Sequence, residues 1–271
     1  VLDNASEPAT SDRLEEAKAW GPFRNCRHED NIGPVANILH GPCHLARGEF
    51  TWVLGDHNLL RPGALARIVQ TLRREQEKDA FYVNFRCAVY PDHWPAENLR
   101  GGHEGPYAYL GNSEIVDGPL ERWSDLVRPG SSFATQIYAH IVRTAIWREY
   151  WSDRDIPPNY VDGPSTYPHT WMLASTVFDR PSFVVADPAL TIFNGAQSWG
   201  DPETRLAVNL RGTPDLFDLY RRGGLSKDRL TELRRFHTSH LLHLLVLYRK
   251  RPGARPWTDL ARALVTTARS G

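Results

Sequence analysis

The sequence carries no net charge: 32 basic residues balance 32 acidic ones over 271 positions. That balance excludes a protein held to nucleic acid by bulk charge, and no nucleic-acid partner is expected. Cysteine is scarce. Cys26, Cys43 and Cys87 are odd in number and far apart, with no C-x-x-C spacing. A disulfide framework and a structural zinc site are therefore not expected, and a reducing compartment fits better. No apolar run reaches the roughly 18 residues that a membrane span needs. No signal peptide, internal repeat or low-complexity segment is visible, so a cytoplasmic location is expected. The chain also lacks an initiating methionine and opens on Val1.

What is present is an ordinary globular balance, 41% hydrophobic and 24% charged. "VLDNAS" reads as a strand end running into a polar loop. A short helix is expected over Asp12 to Trp20. A loop follows at Asp30 to Gly33, then a helix over Val35 to Ala46 that Pro42 should kink or end early. "FTWVL" is a short buried strand, "PGALARIVQTLRRE" a helix with Pro62 near its first turn, and "AFYVNFRCAVY" another strand. Strand, helix, strand, helix, strand signals an α/β domain with a largely parallel sheet. Residues 91–129 are rich in Gly, Pro and Trp and read as loops. "SSFATQIYAHIVRTAIWREYW" is helical or mixed, a helix starts between Thr166 and Trp171, "PSFVVADPALTIF" is a late strand, and the chain from Pro214 to Ser270 is helical with a break at Arg251 to Pro256.

One stretch stands out. "FTWVLGDHNLLRPGALARIVQTL" ends an apolar strand on Asp56, His57 and Asn58, just before an amphipathic helix. In open α/β sheets, ligands bind outside the carboxyl ends of the strands. A carboxylate, an imidazole and an amide oxygen can all ligate a divalent ion, which could neutralise a diphosphate. The plainer alternative is a turn or helix cap, since Asp and Asn fill that role routinely.

The wider pattern, "VLDNAS" followed by "NIGPVANILHGPCHLARGEFTWVLGDHNLLRPGAL", resembles the nucleotide-sugar half of family 2 glycosyltransferases of the GT-A fold. That family shows a "VDNxS" or "VDDGS" strand end, an "N-x-G" loop, an Asn-bearing helix, an "A-x-G-E" turn, and a strand ending in "D-x-D" or "D-D-D". The likeness runs in order and spacing over about the first 90 residues. It is nearest to the bacterial O-antigen and abequosyltransferase-like members, which often read "LGDDD-x-L-x-PGAL". The resemblance implies a GT-A fold: Rossmann-like, a mostly parallel sheet flanked by helices, here with a helical C-terminal segment. Residues 1–90 would form the nucleotide-sugar half, 91–212 the acceptor half, and 213–271 a helical extension.

Carried over by motif, Asp3 would contact the nucleotide base, with Asn4 and Ser6 shaping its loop. Asn31 and Gly33 match the loop beside the nucleotide, and Asn37 the polar position on the helix. Asp56, His57 and Asn58 match the metal motif, with only one carboxylate kept. A weakly held Mn²⁺ or Mg²⁺ ion is the expectation, against a softer metal held by His57 or no metal at all. The family's first strand is not seen, and residues preceding Val1 are expected. Family 2 enzymes mostly invert at the anomeric carbon with a general base. "YVDGPSTYPHTW" offers Asp162 and His169, in place of the usual "E-D" pair. Their plainer readings are a turn residue in Asp-Gly and a helix-start or core histidine.

"NGAQSW" follows the late strand, where Asn194, Gln197 and above all Trp199 would meet donor or acceptor. Trp94, Trp123, Trp151 and Trp171 are candidates for an acceptor groove, by stacking on sugar rings or by simple packing. Arg128, Arg205 and Arg211 would pair with phosphate or stay as surface charge. "HTSHLLHLLVLYRKRPGAR" is an apolar-faced helix with a basic end. It would lie on a membrane surface near a lipid-linked acceptor, pack on its own domain, or join a homodimer. His237, His240 and His243 would form a surface or interface stripe. The function implied is transfer of a hexosyl or deoxyhexosyl group from a nucleotide-diphosphate sugar to a glycan, lipid-linked or small-molecule acceptor, in polysaccharide biosynthesis. The alternatives are a catalytically silent GT-A module that binds a nucleotide sugar or a protein partner, and a nucleotidyltransferase. The last would show a Gly-rich, Lys- or Arg-bearing loop near its start, and none is visible.

Overall fold

The computed structural model describes residues 1–6, 14–15, 18–89, 107–155, 158–194 and 208–249. In chain order its elements are β1 (Leu2–Asp3), β2 (Cys26–Arg27), α1 (Pro34–His40), β3 (Phe50–Trp52), β4 (Asn58–Leu60), α2 (Ala64–Arg74), β5 (Ala80–Val89), β6 (Tyr107–Leu110), β7 (Gly118–Leu120), β8 (His140–Arg143), α3 (Thr144–Trp151), α4 (Gly163–Thr166), α5 (Pro168–Thr176), β9 (Ser182–Asn194), α6 (Thr213–Arg222) and α7 (Lys227–Arg249). α1 runs directly into a π-helical turn over Gly41–Leu45 and stops at Ala46, whose N–H reaches back to the Gly41 carbonyl. The missing amide of Pro42 explains the change of pitch.

The fold is α/β as expected, but its sheet is mixed rather than mostly parallel. The order is β3-β8-β5-β9-β4, with β6 beside β5 and β7 beside β9. Among the described residues only β5/β9 and the detached pair β1/β2 run parallel. The remaining pairings are antiparallel. Two of the antiparallel strands, β6 and β7, fall in the segment read as loops. They lack a period of their own and are held by the long strands they border.

β5 and β9 form the spine. Their register breaks between Val83 and Phe85, where Val185 and Leu190 are the facing partners. Ala186 to Ala189 therefore bow out opposite Asn84. The Asn84 side chain fills the gap: Nδ2 donates to the Asn112 and Ala186 carbonyls, both at 2.9 Å. Its Oδ1 accepts from the amides of Phe85 and Asn112, both at 3.0 Å. The bulge reverses which face of β5 looks where. Ala80 and Tyr82 before it, and Phe85 and Cys87 after it, join the larger core. That core packs against α1, α3, α5, α6 and α7. The opposite face is smaller. Phe81, Val83, Phe183 and Val185 meet Ala64 and Ile68 of α2 there.

Trp123 is fully buried and Trp151 nearly so in the larger core, so they pack rather than line a groove, and Trp171 is half-buried against it. Large rings bury large apolar areas, and the interior used them for that. His169 is likewise interior, 3% exposed, and its ring lies 5.9 Å from that of His140. His140 Nε2 donates to the Ala134 carbonyl at 3.0 Å, which also accepts from Thr170 Oγ1. These bonds pin an unusual turn. Ser132, Phe133 and Ala134 all have positive φ (48°, 61° and 60°) although none is glycine. Left-handed backbone costs a non-glycine residue roughly 1–2 kcal/mol. The Tyr220 hydroxyl holds the Phe133 carbonyl at 2.6 Å, and the Phe133 ring wedges against Phe217, Phe236 and His237.

Two outcomes follow from these interior polar groups. Asn84→Ala leaves the buried Phe85 and Asn112 amides without an acceptor, and urea unfolding should show a loss of about 3 kcal/mol. The second concerns acid. Burial lowers the pKa of His140 to about 4, only partly opposed by its bond to Ala134. Burial, with His140 as neighbour, holds His169 well below its ordinary value. Unfolded, both take up a proton near pH 6.5. The unfolded chain thus binds more protons between about pH 6.5 and pH 4. Stability should be full above that window and decline as pH falls through it, read as a falling urea midpoint.

Candidate functional site

The N-terminal polar residues converge at one place. β1 and β2 pair in register, Asp3 opposite Arg27. Arg27 Nη1 donates to Asp3 Oδ2 at 2.8 Å and to the Ser6 carbonyl at 3.1 Å. The Ser6 amide donates to Asp3 Oδ1 at 2.9 Å, so the buried carboxylate is held at both oxygens. Next to it, Asn4 Nδ2 donates to Asn31 Oδ1 at 2.9 Å, while Asn4 Oδ1 accepts from the Ile32 amide at 3.0 Å. Asn31 Oδ1 also accepts from the Gly33 amide. Asp3, Asn4, Ser6, Asn31 and Gly33, scattered over 31 positions of sequence, thus form one cradle.

Gly33 is required there for two reasons. Its φ of 87° and ψ of 157° lie in a region that only glycine adopts without strain. A Cβ would also sit 2.3 Å from the Pro158 carbonyl oxygen. That same oxygen accepts from the Val35 amide at the start of α1. The close approach brings the segment leading to Asp162 alongside the Asn31–Gly33 loop. Asn37 lies on α1, its Oδ1 buried with no hydrogen-bond partner among the described residues. An orphaned buried acceptor is costly, and it marks a place where a ligand hydroxyl would be welcome.

The Asp56–Asn58 turn is built differently from a metal cage. Asn58 Oδ1 accepts from the Gly55 amide at 2.7 Å, closing the turn as a local brace. Asp56 is fully exposed, and its Oδ1 lies 3.2 Å from His57 Nδ1. Among the described residues no group of three His, Cys, Asp or Glu side chains could hold a metal ion. One free carboxylate is too thin a set to bind a hard cation unaided. The turn is well anchored on its far side. β4 pairs with β9, and the bulge carbonyls of Pro188 and Ala189 accept from the Arg61 side chain and amide. Asp187 forms an ion pair with Arg67 at 2.5 Å.

On the opposite side, Asp162 caps α4. Its Oδ1 accepts from the Ser165 amide at 2.9 Å and from Ser165 Oγ at 2.6 Å. The residue is exposed, and Oδ2 has no partner among the described residues. Asp215 faces the same short helix, accepting from the Gly163 amide; burial, then the neighbouring Asp162 charge, raises its pKa against the pull of that hydrogen bond. His169 is not brought to this site: it is buried in the core beside His140. Arg128 uses its guanidinium on the Asp125 carbonyl. The expected histidine stripe divides. His237 points inward to the Asn209 carbonyl at 2.9 Å, while His240 and His243 are exposed. Asn194 ends β9, whereas Trp94, Gln197, Trp199 and Arg205 lie outside the described residues.

Sequence reasoning missed Arg27 and Pro158. Arg27 belongs to a strand only two residues long, and Pro158 acts through its carbonyl, which no side-chain pattern reports.

No protein-family model and no curated protein matches this chain. Solved structures do. S. aureus TarS 1–349 in complex with UDP-GlcNAc aligns at TM-score 0.60 and 14% identity, over 98% of this chain and 69% of that one. Its UDP complex aligns at 0.56 and 14%, over 93% and 65%. A further TarS 1–349 structure gives 0.55 and 13%, over 88% and 61%. The fold is GT-A. In two of these three alignments this chain spans less than two thirds of the TarS chain. Gly33→Ala tests whether the close approach matters: the backbone alone should cost about 1–3 kcal/mol, with the Pro158 clash adding to it, seen as a lowered melting temperature.

Proposed function

We propose that this protein is an inverting glycosyltransferase that takes a sugar from a nucleoside-diphosphate donor. The observation that carries the reading is the cradle of Asp3, Asn4, Ser6, Asn31 and Gly33, beside the unpartnered Asn37 oxygen, in a GT-A fold. That TarS is solved with UDP and UDP-GlcNAc makes a uridine nucleotide the first donor to try. Asp3, oriented by Arg27, meets the base; Asn4, Ser6 and Asn31 shape the loop; Gly33 lets the backbone come close; Asn37 accepts from a ribose hydroxyl. Residues 1–90 serve the donor and 91–212 the acceptor, with Trp199 in the latter. The sugar is a hexose or deoxyhexose, and the subgroup likeness favours a bacterial surface glycan as the product.

For the chemistry, Asp162 is the preferred base over His169. Its cap fixes the carboxylate through Oδ1 and leaves Oδ2 to take the acceptor hydroxyl proton. The acceptor oxygen then bonds to the anomeric carbon as the bond to the nucleoside diphosphate breaks. Asp56 would be the residue to hold a divalent ion, which would neutralise the charge of the diphosphate. The single acid of that turn also favours a second reading, a binding module without transfer.

A thermal-shift screen of UDP, GDP, CDP and dTDP, with and without Mn²⁺ or Mg²⁺, tests the donor. At a hundredfold excess over Kd, one nucleotide should add about 2.7 kcal/mol, or roughly 5–10 °C for a chain of this size. Asp56→Ala should abolish any metal-dependent part of the shift. Asp162→Asn should keep the nucleotide shift yet lower transfer about 10²–10⁴-fold. Binding with neither transfer nor donor hydrolysis selects the nucleotide-sugar-binding module, and no shift with any nucleotide rejects the transferase in favour of a module that binds a protein partner.

A further inference from the structure

A small concavity of about 130 Å³ lies where α7 begins, bordered by Arg122, Ser124, Asp125, Phe178, Leu225 and Arg229. None of these residues belongs to the cradle or to the Asp162 cap. Ser124 is the unusual member. It is only 5% exposed. Its amide donates to the Phe178 carbonyl and its carbonyl accepts from the Val127 amide, each at 3.0 Å. Its hydroxyl has no hydrogen-bond partner among the described residues and is left to the concavity that Ser124 lines. Interior hydroxyls ordinarily find a partner, so one left without marks a place where a ligand atom would be met.

The groups around that hydroxyl are mostly donors. Arg229 donates through Nη1 to the Val127 carbonyl at 3.3 Å, and Arg122 through Nη2 to Asp125 Oδ1 at 3.3 Å. Each guanidinium carries five N–H groups, so both keep donors for a ligand. Ser226 also borders the concavity; its Oγ accepts from the Arg229 amide at 3.3 Å, which leaves its O–H to donate. Behind it the amides of Lys227 and Asp228 open a helix of 23 residues without a backbone partner among the described residues, and that end carries partial positive charge. Two carboxylates stand against this. Asp125 is engaged by the Arg122 side chain and, through Oδ2, by the Arg122 amide. Glu232 is 59% exposed, reaches Arg229 Nε only at 4.0 Å, and borders a different groove beside Phe236. The side chains of Lys227 and Asp228 are exposed and opposite in sign. Donors therefore outnumber acceptors, which suits an oxyanion, a group that only accepts. Phe178 and Leu225 supply an apolar wall beside it.

We propose that this concavity binds a phosphate group, held by Arg122, Arg229 and the Ser124 hydroxyl at the N-terminal end of α7. The site stands apart from the donor reading and shares no residue with it. The test is calorimetric titration of the full chain with inorganic phosphate and, in parallel, with phenyl phosphate. Saturable binding with Kd of about 1 mM or tighter is expected. Tighter binding of inorganic phosphate assigns the site to the free ion; tighter binding of phenyl phosphate, whose ring would meet the apolar wall, assigns it to a phosphate monoester. Ser124→Ala removes a hydroxyl that the fold does not use, so the melting temperature should hold while affinity falls about tenfold. Arg122→Gln should weaken binding about as much. Asp125→Asn keeps an oxygen for the Arg122 amide and removes the opposing charge, so it should tighten binding about threefold. Absence of saturable binding with both probes overturns the proposal. So does binding that Ser124→Ala and Arg122→Gln both leave unchanged, which would place the anion elsewhere on the molecule.

Discussion

The bulge between β5 and β9 is the constraint on which the rest of the molecule depends. A parallel pair of this length would run straight with an unbroken alternation of faces. Asn84 interrupts it by offering its own amide group where main-chain partners are missing. Everything downstream takes its position from that substitution of side chain for backbone. The residues bowed out opposite it supply the carbonyls that hold Arg61, and Arg61 ends the strand that carries Asn58. The turn bearing Asp56 is thus tied to the centre of the sheet, though its own residues are exposed. A similar economy operates at Gly33, where a single carbonyl oxygen on Pro158 meets the first turn of α1 and ties it to the segment before Asp162.

Much of the cradle from Asp3 to Gly33 was legible in the sequence because its information is local. "DNAS" and "NIG" each specify a turn, and turn chemistry survives without knowledge of the partner strand. That Asn4 and Asn31 touch could be expected only from the motif order, and they do. The α/β class and the helix interrupted by Pro42 were equally readable, since proline acts on its own turn. The mixed character of the sheet was not. β4, β6 and β7 are too short to show a period, and their pairing is imposed by β5 and β9. Trp123, Trp151 and His169 were ambiguous in the same way: aromatic and imidazole rings suit both a groove and a core, and only burial separates the two uses. The Asp-Gly reading of residue 162 and the catalytic one turn out to be compatible, for a cap needs one carboxylate oxygen and leaves the other.

The electrostatics follow the same division. Asp3 and Arg27 pair within the separate β1/β2 sheet, where the buried carboxylate is neutralised by a guanidinium that reaches solvent. Groups buried deep in the interior, His140 and His169, are kept neutral. Keeping the two imidazoles neutral avoids the cost of burying an unpaired charge.

The turn at Ser132, Phe133 and Ala134 carries a further consequence. Its handedness is unfavourable for each residue, so it persists only while Tyr220, His140 and Thr170 grip its carbonyls. The Phe133 ring that it raises is the wedge on which α6 and α7 rest. The turn therefore acts as a latch under tension, and the two C-terminal helices form a single cooperative unit behind it. Amide hydrogen exchange would record that unit as one step, with the amides of both helices opening together ahead of the sheet.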